Sequence, residues 1–333
     1  MIKTIMQRGL EAIWYQRHWG WICLSPFALL FQQVVRLRRF AYQQHWLKTT
    51  QLPVPVVIVG NLTVGGTGKT PMIIYLAKCL RQAGFAPGII SRGYGGQSST
   101  WPCRVTATSL ASEVGDEAVV IAKRTGCPVV VGPERAAAAK LLLQQADCDI
   151  ILSDDGLQHY ALARTLELVI IDGVRRFGNN RCLPAGPLRE PLSRLAEVDL
   201  VVVNGEADAS DAFSLQVQAT VAVNLLTEEQ QPLSVFAGQK VHAVAAIGHP
   251  QRFFTTLQTL GIDSQNYAFP DHHPFSAADL QFNDNLPVLM TEKDAVKCME
   301  FASKHFWYVP IQMQPDAKFE GYFLTLLQEK LNG

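Results

Sequence analysis

Short apolar runs alternate with mixed apolar and polar segments along most of the chain. The run VPVVIVG at residues 54–60 is rich in β-branched residues and ends in glycine, as buried parallel strands often do. The same pattern predicts strands at residues 54–60, 88–91, 129–132, 149–153, 167–172 and 200–204, with helices at 70–83, 116–124 and 134–145. Strands that alternate with helices indicate an α/β fold with a doubly wound, mostly parallel sheet.

A change of composition at residues 206–219 predicts a linker, because this segment is small, polar and acidic. Beyond it, the pattern predicts strands at residues 242–247, 267–270, 288–291 and 307–311, with helices at 251–260, 295–302 and from about 319. We therefore expect a larger domain over residues 51–205 and a second, smaller α/β domain over residues 220–333, which closes over the site.

The first fifty residues form a segment of their own. They carry seven basic side chains and one acidic one, so this segment is +6 and, because the whole chain is neutral, the rest is −6. Aromatic and aliphatic residues lie among the basic ones, which is typical of an interfacial helix at an anionic membrane surface. Two alternatives stay open: a helix packed on its own protein, and a signal peptide, although no small-residue cleavage site follows the apolar run.

Composition narrows the function classes. The 333 residues are 48% hydrophobic and 17% charged, which excludes a disordered chain and leaves room for about two domains. Basic and acidic residues are equal at 29 each, so no nucleic-acid partner is expected. The seven cysteines include no C-x-x-C pair, which favours a reducing compartment. The longest apolar run, residues 19–31, is too short to span a bilayer.

The strongest chemical signal is a phosphate-binding loop, TVGGTGKT, between a predicted strand and a predicted helix. In such a loop the backbone N–H groups surround phosphates, the lysine neutralises them and the hydroxyl residue holds Mg²⁺. Thr63 stands where the strict pattern has its first glycine. The signal predicts a P-loop NTPase type of fold that binds ATP and Mg²⁺ through Thr63, Val64, Gly65, Gly66, Thr67, Gly68, Lys69 and Thr70.

A P-loop enzyme also needs a carboxylate at the end of a neighbouring strand. The run IILSDD ends in Asp154 and Asp155, which are the candidate metal ligands. The alternative is a pair of surface acids that cap a helix. Which of the two carboxylates faces the metal stays open.

Transfer to a hydroxyl group requires a base. Asp116 lies at a predicted junction between a loop and a helix, where it could equally be an N-cap. His272 follows a predicted strand of the other domain and is a candidate to orient a carboxylate across a cleft; the alternative is a loop or capping histidine.

Arginines in two glycine-rich loops are candidate phosphate contacts. Residues 173–191 form a long loop with Arg175, Arg176 and Arg189, and Arg92 lies in the string SRGYGG; a solvated loop and a tight turn are the alternatives. The string TEKD at residues 291–294 has the wrong spacing for a guanine-reading motif, because its lysine directly precedes the aspartate.

Taken in order, these strings resemble the tetraacyldisaccharide 4′-kinases of lipid A synthesis. The resemblance covers nearly the whole chain and rests on GNLTVGGTGKTP, SRGYGG, GDEA, SDDGLQH, LPAGPLREP, AIGHPQRFF, PDHH and TEKDAVK. It implies transfer of the γ-phosphate of ATP to the 4′-hydroxyl of a tetraacyl glucosamine disaccharide 1-phosphate. It also implies a peripheral location on the cytoplasmic face of the bacterial inner membrane, with the acylated disaccharide lipid as partner.

The resemblance assigns residue roles as well. It implies that Asp116 and His272 form a catalytic acid–base pair, and that Asp154, Asp155 and Gln158 form the metal and nucleotide environment. The candidate substrate contacts are Arg92, Glu117, His159, Arg175, Arg176 and Arg189. Two rival classes remain: a P-loop ligase of the dethiobiotin type, which would form an acyl phosphate, and a non-catalytic ATP switch at the membrane.

Overall fold

The computed structural model describes residues 2–16, 18–207 and 212–332, with the backbone alone for residues 2–8. The α-helices in these ranges are α1 (Ile2–Tyr15), α2 (Trp21–Gln43), α3 (Lys69–Gln82), α4 (Ala111–Val114), α5 (Asp116–Thr125), α6 (Arg135–Gln145), α7 (Pro250–Thr259), α8 (Glu292–Ala295) and α9 (Phe319–Asn332). Short 3₁₀ helices are present at Leu192–Glu197, Leu233–Phe236, Ala277–Leu280 and Met299–Phe301.

The strands are β1 (Val56–Gly60), β2 (Pro87–Ser91), β3 (Cys103–Val105), β4 (Val129–Val131), β5 (Ile150–Asp154), β6 (Leu166–Asp172), β7 (Leu200–Asn204), β8 (Phe213–Gln218), β9 (Val221–Asn224), β10 (Gln230–Pro232), β11 (Lys240–Ala245), β12 (Asp263–Ala268), β13 (Val288–Thr291), β14 (Phe306–Val309) and β15 (Gln312–Pro315).

The chain forms two compact units, and each is discontinuous in sequence. Unit 1 comprises Met1–Arg92, Glu134–Gln216 and Pro315–Gly333; unit 2 comprises Gly93–Pro133 and Val217–Gln314. The predicted domain limits are therefore wrong in two places. Residues 93–133 belong to unit 2, in which α5 contacts α8. Residues 315–333 belong to unit 1, in which the ring of Phe319 in α9 packs against Phe213.

The predicted linker at residues 206–219 is only partly described. Residues 208–211 lie outside the described residues, and β8 occupies most of the remainder.

A parallel sheet in the order β8-β7-β6-β1-β5-β2 forms the centre of unit 1. Every residue of β1, β2, β5 and β6 is buried, which explains why these strands are rich in consecutive apolar residues and do not alternate between apolar and polar ones. The mostly parallel α/β sheet predicted from the sequence is confirmed. Because β1 pairs with β5, with Val59 opposite Asp154, the loops that follow these two strands leave the same edge of the sheet side by side.

Unit 2 contains a mixed sheet in the order β10-β9-β14-β13-β11-β12. Strands β12, β11, β13 and β14 are parallel neighbours, whereas β9 pairs antiparallel with both β14 and β10. Two apolar clusters stabilise the unit: Leu257 and Leu289 belong to one, and Phe275 and Met290 to the other.

Two predicted elements of unit 2 are wrong. The helix predicted at residues 295–302 is instead α8, which begins at Glu292 because the Thr291 hydroxyl accepts the Asp294 N–H, followed by a separate 3₁₀ turn. The strand predicted at residues 267–270 is β12, which begins at Asp263. Since β12 is a largely exposed edge strand, polar residues occupy it and its apolar pattern is weak.

The N-terminal segment predicted at residues 1–50 contains both α1 and α2, and α2 makes few contacts with the rest of unit 1. Arg38 Nη1 donates to the Gln158 carbonyl at 3.2 Å, and the Tyr42 ring lies 5.9 Å from the Tyr160 ring. Of its residues only Ala28 is buried. In the described part of the chain, no helix is both long and apolar enough to traverse a bilayer.

Candidate active site

The predicted phosphate-binding loop of unit 1 joins the end of β1 at Gly60 to the start of α3 at Lys69. Gly68, directly before the helix, has a φ of +102°, a conformation that favours glycine. Thr63 forms an antiparallel bridge with Leu188, and the Val64 N–H donates to the Pro187 carbonyl at 2.9 Å. A paired, extended residue needs no glycine, which explains why threonine occupies this position.

Lys69 is held between an amide and a carboxylate. Its Nζ donates to Asn61 Oδ1 at 3.2 Å and lies 3.6 Å from Asp155 Oδ1. Sequence reasoning missed Asn61, which is fully buried between β1 and the loop. Its place in the sequence is the signal that could have indicated it, because a side-chain amide directly after a buried strand lies at the edge where the phosphate-binding loop begins.

The two acids that follow β5 differ in their surroundings. Asp154 is buried; its Oδ2 accepts the Ser91 hydroxyl at 3.0 Å, and its carbonyl accepts from Arg135, a buried arginine that sequence reasoning also missed. Asp155 is paired with cations. Burial alone would raise the pKa of Asp155, but the charges of Lys69 and Arg189 lower it to about 2. Asp155 is therefore ionised at neutral pH.

Gln158 and His159 lie beside these groups. Gln158 Nε2 donates to the Asn61 carbonyl at 3.3 Å, and its Oε1 accepts from Arg189 Nη1 at 3.4 Å. Burial and the nearby charge of Arg135 lower the pKa of His159 to about 4, so its ring is neutral at pH 7.

The residues of this edge suit a magnesium nucleotide. Thr70 and Asp154 are buried and present hydroxyl and carboxylate oxygens, the hard ligands that Mg²⁺ prefers. The buried hydroxyl of Thr67 has no hydrogen-bond partner among the described residues, as expected of a group whose partner is a bound phosphate. Phosphate also suits the N-terminus of α3, where the first backbone N–H groups have no partner within the helix.

The predicted arginines are distributed unevenly in unit 1. Arg189 contacts Asp155, and Arg175 lies near the loop, since a Cβ built on Gly65 would be 3.9 Å from its Nη1. Arg176 instead donates to the Glu206 carbonyl at 3.4 Å. Arg92 is exposed after β2.

In unit 2, Asp116 is the first residue of α5 and is only 4% exposed. Gly115 before it has a φ of +91°, and a Cβ there would lie 2.5 Å from the Tyr94 carbonyl oxygen, so only glycine fits. Asp116 Oδ1 accepts the Glu117 N–H at 2.7 Å. This local contact resembles a cap, but it accounts for one carboxylate oxygen only.

The other oxygen of Asp116 contacts His272, with 2.9 Å between Asp116 Oδ2 and His272 Nδ1. Burial would raise the pKa of Asp116, but the hydrogen bond from His272 and the charge of Lys293 hold it below its ordinary 3.8. Burial would likewise lower the pKa of His272, but the hydrogen bond to Asp116 raises it above 6.5. Because an ionised carboxylate only accepts hydrogen bonds, Nδ1 carries the proton.

The expectation that this pair joins two domains is wrong, since both residues belong to unit 2. The reason is that residues 93–133 assemble with the C-terminal segment that contains PDHH. Tyr94, from the same unit, lies with its ring 4.9 Å from the His272 ring, and Asp271 Oδ1 lies 3.6 Å from Nε2.

Glu117 pairs with Lys293, the lysine of the TEKD string. Sequence reasoning considered this string only as a guanine reader, and it missed the contact because the partners are 176 positions apart.

The geometry of the two units permits separate chemical tasks. Unit 1 offers a phosphate cradle with a cation and hard oxygen ligands. Unit 2 offers a buried, ionised carboxylate with a protonated imidazole on one oxygen, which is the arrangement of an oriented general base.

Comparison with known proteins gives one consistent result. Residues 20–328 match a family model described as tetraacyldisaccharide-1-P 4′-kinase. A tetraacyldisaccharide 4′-kinase of Nitrosococcus oceani is 52% identical over 316 residues, which cover 95% of this chain and 93% of that relative. One of Pseudomonas fluorescens is 49% identical over 328 residues, 98% of each chain. The crystal structure of an "apo" form of LpxK from Aquifex aeolicus in complex with ATP matches with a TM-score of 0.80 and 28% identity, over 92% of this chain and 99% of that one.

Proposed function

The chain belongs to the family of tetraacyldisaccharide 4′-kinases, and from this premise we propose how its residues perform the reaction. It is an ATP-dependent kinase of the lipid A disaccharide. The family match decides against the acyl-phosphate ligase and the non-catalytic ATP switch. The acceptor is the 4′-hydroxyl of a tetraacylated glucosamine disaccharide 1-phosphate.

Unit 1 binds the nucleotide. Lys69 and the N-terminus of α3 face the phosphates, and the Thr67 hydroxyl donates to one of them. Thr70 and Asp154 would hold Mg²⁺, which would neutralise phosphate charge when bound. Asp155 is a less suitable ligand, because Lys69 and Arg189 already neutralise its carboxylate.

Unit 2 supplies the base. Asp116 accepts the proton of the 4′-hydroxyl while the bond between that oxygen and the γ-phosphorus forms. The bond from the γ-phosphorus to the bridging oxygen breaks, and ADP leaves with its electron pair. His272 hydrogen-bonds to Asp116 Oδ2 and so fixes the orientation of the carboxylate. The lone pairs that His272 does not use remain available to accept the proton of the sugar hydroxyl. The 2.9 Å contact between Asp116 and His272 is the observation that carries this assignment.

The acceptor lipid is met at the cytoplasmic surface of the inner membrane, on which the enzyme lies as a peripheral protein. Support comes from α2, where Phe27, Leu30, Val34 and Leu37 follow helical spacing and are each 57–65% exposed. Arg36 and Arg38 on the same helix are also exposed, and basic residues beside apolar ones suit an anionic leaflet.

Transfer of labelled γ-phosphate from ATP to a disaccharide 1-phosphate lipid in detergent micelles tests the proposal. Asp116→Ala should lower kcat by about 100-fold or more with little change in the KM for ATP. Asp263→Ala, an exposed acid of β12, is the matched control and should transfer normally. A change confined to KM would make Asp116 a binding residue instead.

A further inference from the structure

A buried lysine lies beside the proposed base. Lys297 follows α8, its side chain is 9% exposed, and its Nζ lies 3.9 Å from Asp116 Oδ2. This is the oxygen that His272 also contacts. The Phe275 ring centroid lies 5.0 Å from the same ammonium, so apolar surface replaces water around it.

Asp294 holds this lysine in place. Its Oδ1 lies 2.8 Å from Lys297 Nζ, and its Oδ2 accepts the Ala246 N–H at 3.0 Å and the Thr291 hydroxyl at 2.6 Å. Asp294 is fully buried, so backbone, hydroxyl and ammonium together fix its position. A buried cation is costly unless it is paired, and Asp294 supplies the partner that holds the Lys297 ammonium within 3.9 Å of Asp116.

We propose that Lys297 is a positioning residue for Asp116, anchored by Asp294, and that it keeps the Asp116 carboxylate ionised and in one orientation. The inference rests on the proposed function of Asp116 as the base. The ion pair with Asp294 and the 3.9 Å approach to Asp116 place the ammonium of Lys297 between two carboxylates. A cation near a carboxylate favours its charged form, the only form that accepts the proton of the sugar hydroxyl.

The other charged groups around Asp116 divide into pairs. On α5, Glu117 pairs with Lys293 of α8, whose ammonium is partly exposed. After β12, His272 contacts Asp116 directly and has Asp271 on its other nitrogen. Lys297 differs from Lys293 because its side chain is 9% rather than 30% exposed and its counter-ion Asp294 is fully buried, so its position beside Asp116 is the more tightly fixed.

The test compares four variants in the micelle assay, each as a pH profile of kcat. Loss of Lys297 alone would leave Asp294 unpaired and could unfold the protein, so the main variant is the double substitution Lys297→Met and Asp294→Asn. The asparagine oxygen can still accept the hydrogen bonds that Ala246 and Thr291 donate. Lys297→Arg keeps the charge, Lys304→Met removes an exposed lysine as the control, and Asp116→Asn tests the base.

We expect the double variant to lower kcat about tenfold with the KM for ATP within about twofold. Its acidic limb should move to higher pH, because Asp116 then binds a proton more readily. Lys297→Arg should keep the limb in place, and Lys304→Met should match the wild type.

If the double variant has the kcat of the wild type and the acidic limb of its pH profile does not move, the inference about Lys297 is overturned. The proposed role of Asp116 as the base still stands in that case, provided that Asp116→Asn is inactive. A limb that moves as far in Lys297→Arg as in the double variant would rule out an electrostatic role. Normal turnover of Asp116→Asn would overturn the proposed base, and the inference with it.

Discussion

Arg189 Nη1 lies 2.8 Å from Oδ1 and 3.0 Å from Oδ2 of Asp155, so one guanidinium nitrogen contacts both carboxylate oxygens. Lys69 Nζ approaches the same carboxylate at 3.6 Å. Asp155 is therefore shared between the lysine of the phosphate-binding loop and an arginine from a distant segment. How much of the lysine charge remains available to a phosphate depends on this sharing.

Arg189→Gln should consequently weaken ATP binding. Without the guanidinium, Lys69 becomes the principal counter-ion of Asp155 and is less available to the nucleotide. We expect the Kd for ATP with Mg²⁺ to rise by about tenfold, a loss of about 1.4 kcal/mol, measured by calorimetry. Arg104→Gln, an exposed arginine of β3, is the matched control. Equal affinity of both variants would show that Arg189 does not modulate Lys69.

The contact between Asp116 and His272 should make stability depend on pH. The lowered pKa of Asp116 stabilises the fold above about pH 4, and this contribution is lost as pH falls through the folded value. The raised pKa of His272 stabilises it below about pH 6.5, and that contribution is lost as pH rises through the folded value. Both contributions are present between these limits.

His272→Gln keeps a hydrogen-bond donor but removes the charge. The difference in urea midpoint between wild type and this variant should be largest at about pH 5 and smaller at about pH 9. The control is His305→Gln, because His305 contacts no carboxylate among the described residues. For this variant the difference in urea midpoint from wild type should not change with pH. If the difference in urea midpoint is constant with pH, the imidazole of His272 stabilises the fold by packing and not by its charge.

A buried ion network in unit 1 should contribute strongly to stability. Arg194 is 3% exposed and pairs with Glu167, while its Nε lies 3.6 Å from Glu190. Arg194→Met leaves buried carboxylates short of a partner, which should cost about 3 kcal/mol in urea unfolding. Combining it with Glu167→Gln should recover part of that loss. Lys123→Met, which breaks the exposed pair with Glu228, should cost less than about 1 kcal/mol.

The sequence predicts the centre of unit 1 well, because burial on both faces makes β1 and β5 continuous apolar runs. The ends of these strands therefore also predict two functional residues: Lys69, at the end of the loop after β1, and Asp154, the last residue of β5. The predicted position of the edge strand β12 is wrong, because its exposed polar residues form no such apolar run. Lys297 and Asn61 were missed for another reason. Asn61 has only its place after a buried strand as a local signal and Lys297 has none, and the role of each depends on partners that only the fold brings near.

The discontinuous units illustrate the same limit on a larger scale. The change of composition near residue 206 predicts a boundary between two domains. It does not show that residues 93–133 fold together with residues 217–314. Asp116 and His272 are 156 positions apart, and only the resemblance to a known family paired them before the structure did.

The exposed apolar face of α2 should bind membranes. We expect Phe27→Gln combined with Leu30→Gln to lower binding to vesicles that contain anionic lipid by about 100-fold or more, because burying each such side chain contributes about 2 kcal/mol. Substitution is preferable to deletion of residues 1–45, since Arg38 and Tyr42 also contact residues 158 and 160. Leu226→Gln, an equally exposed leucine in unit 2, is the control.

In micelles the double variant should raise the KM for the lipid and leave the KM for ATP unchanged. Unaltered sedimentation with vesicles would instead favour a helix that serves only to cover its own protein.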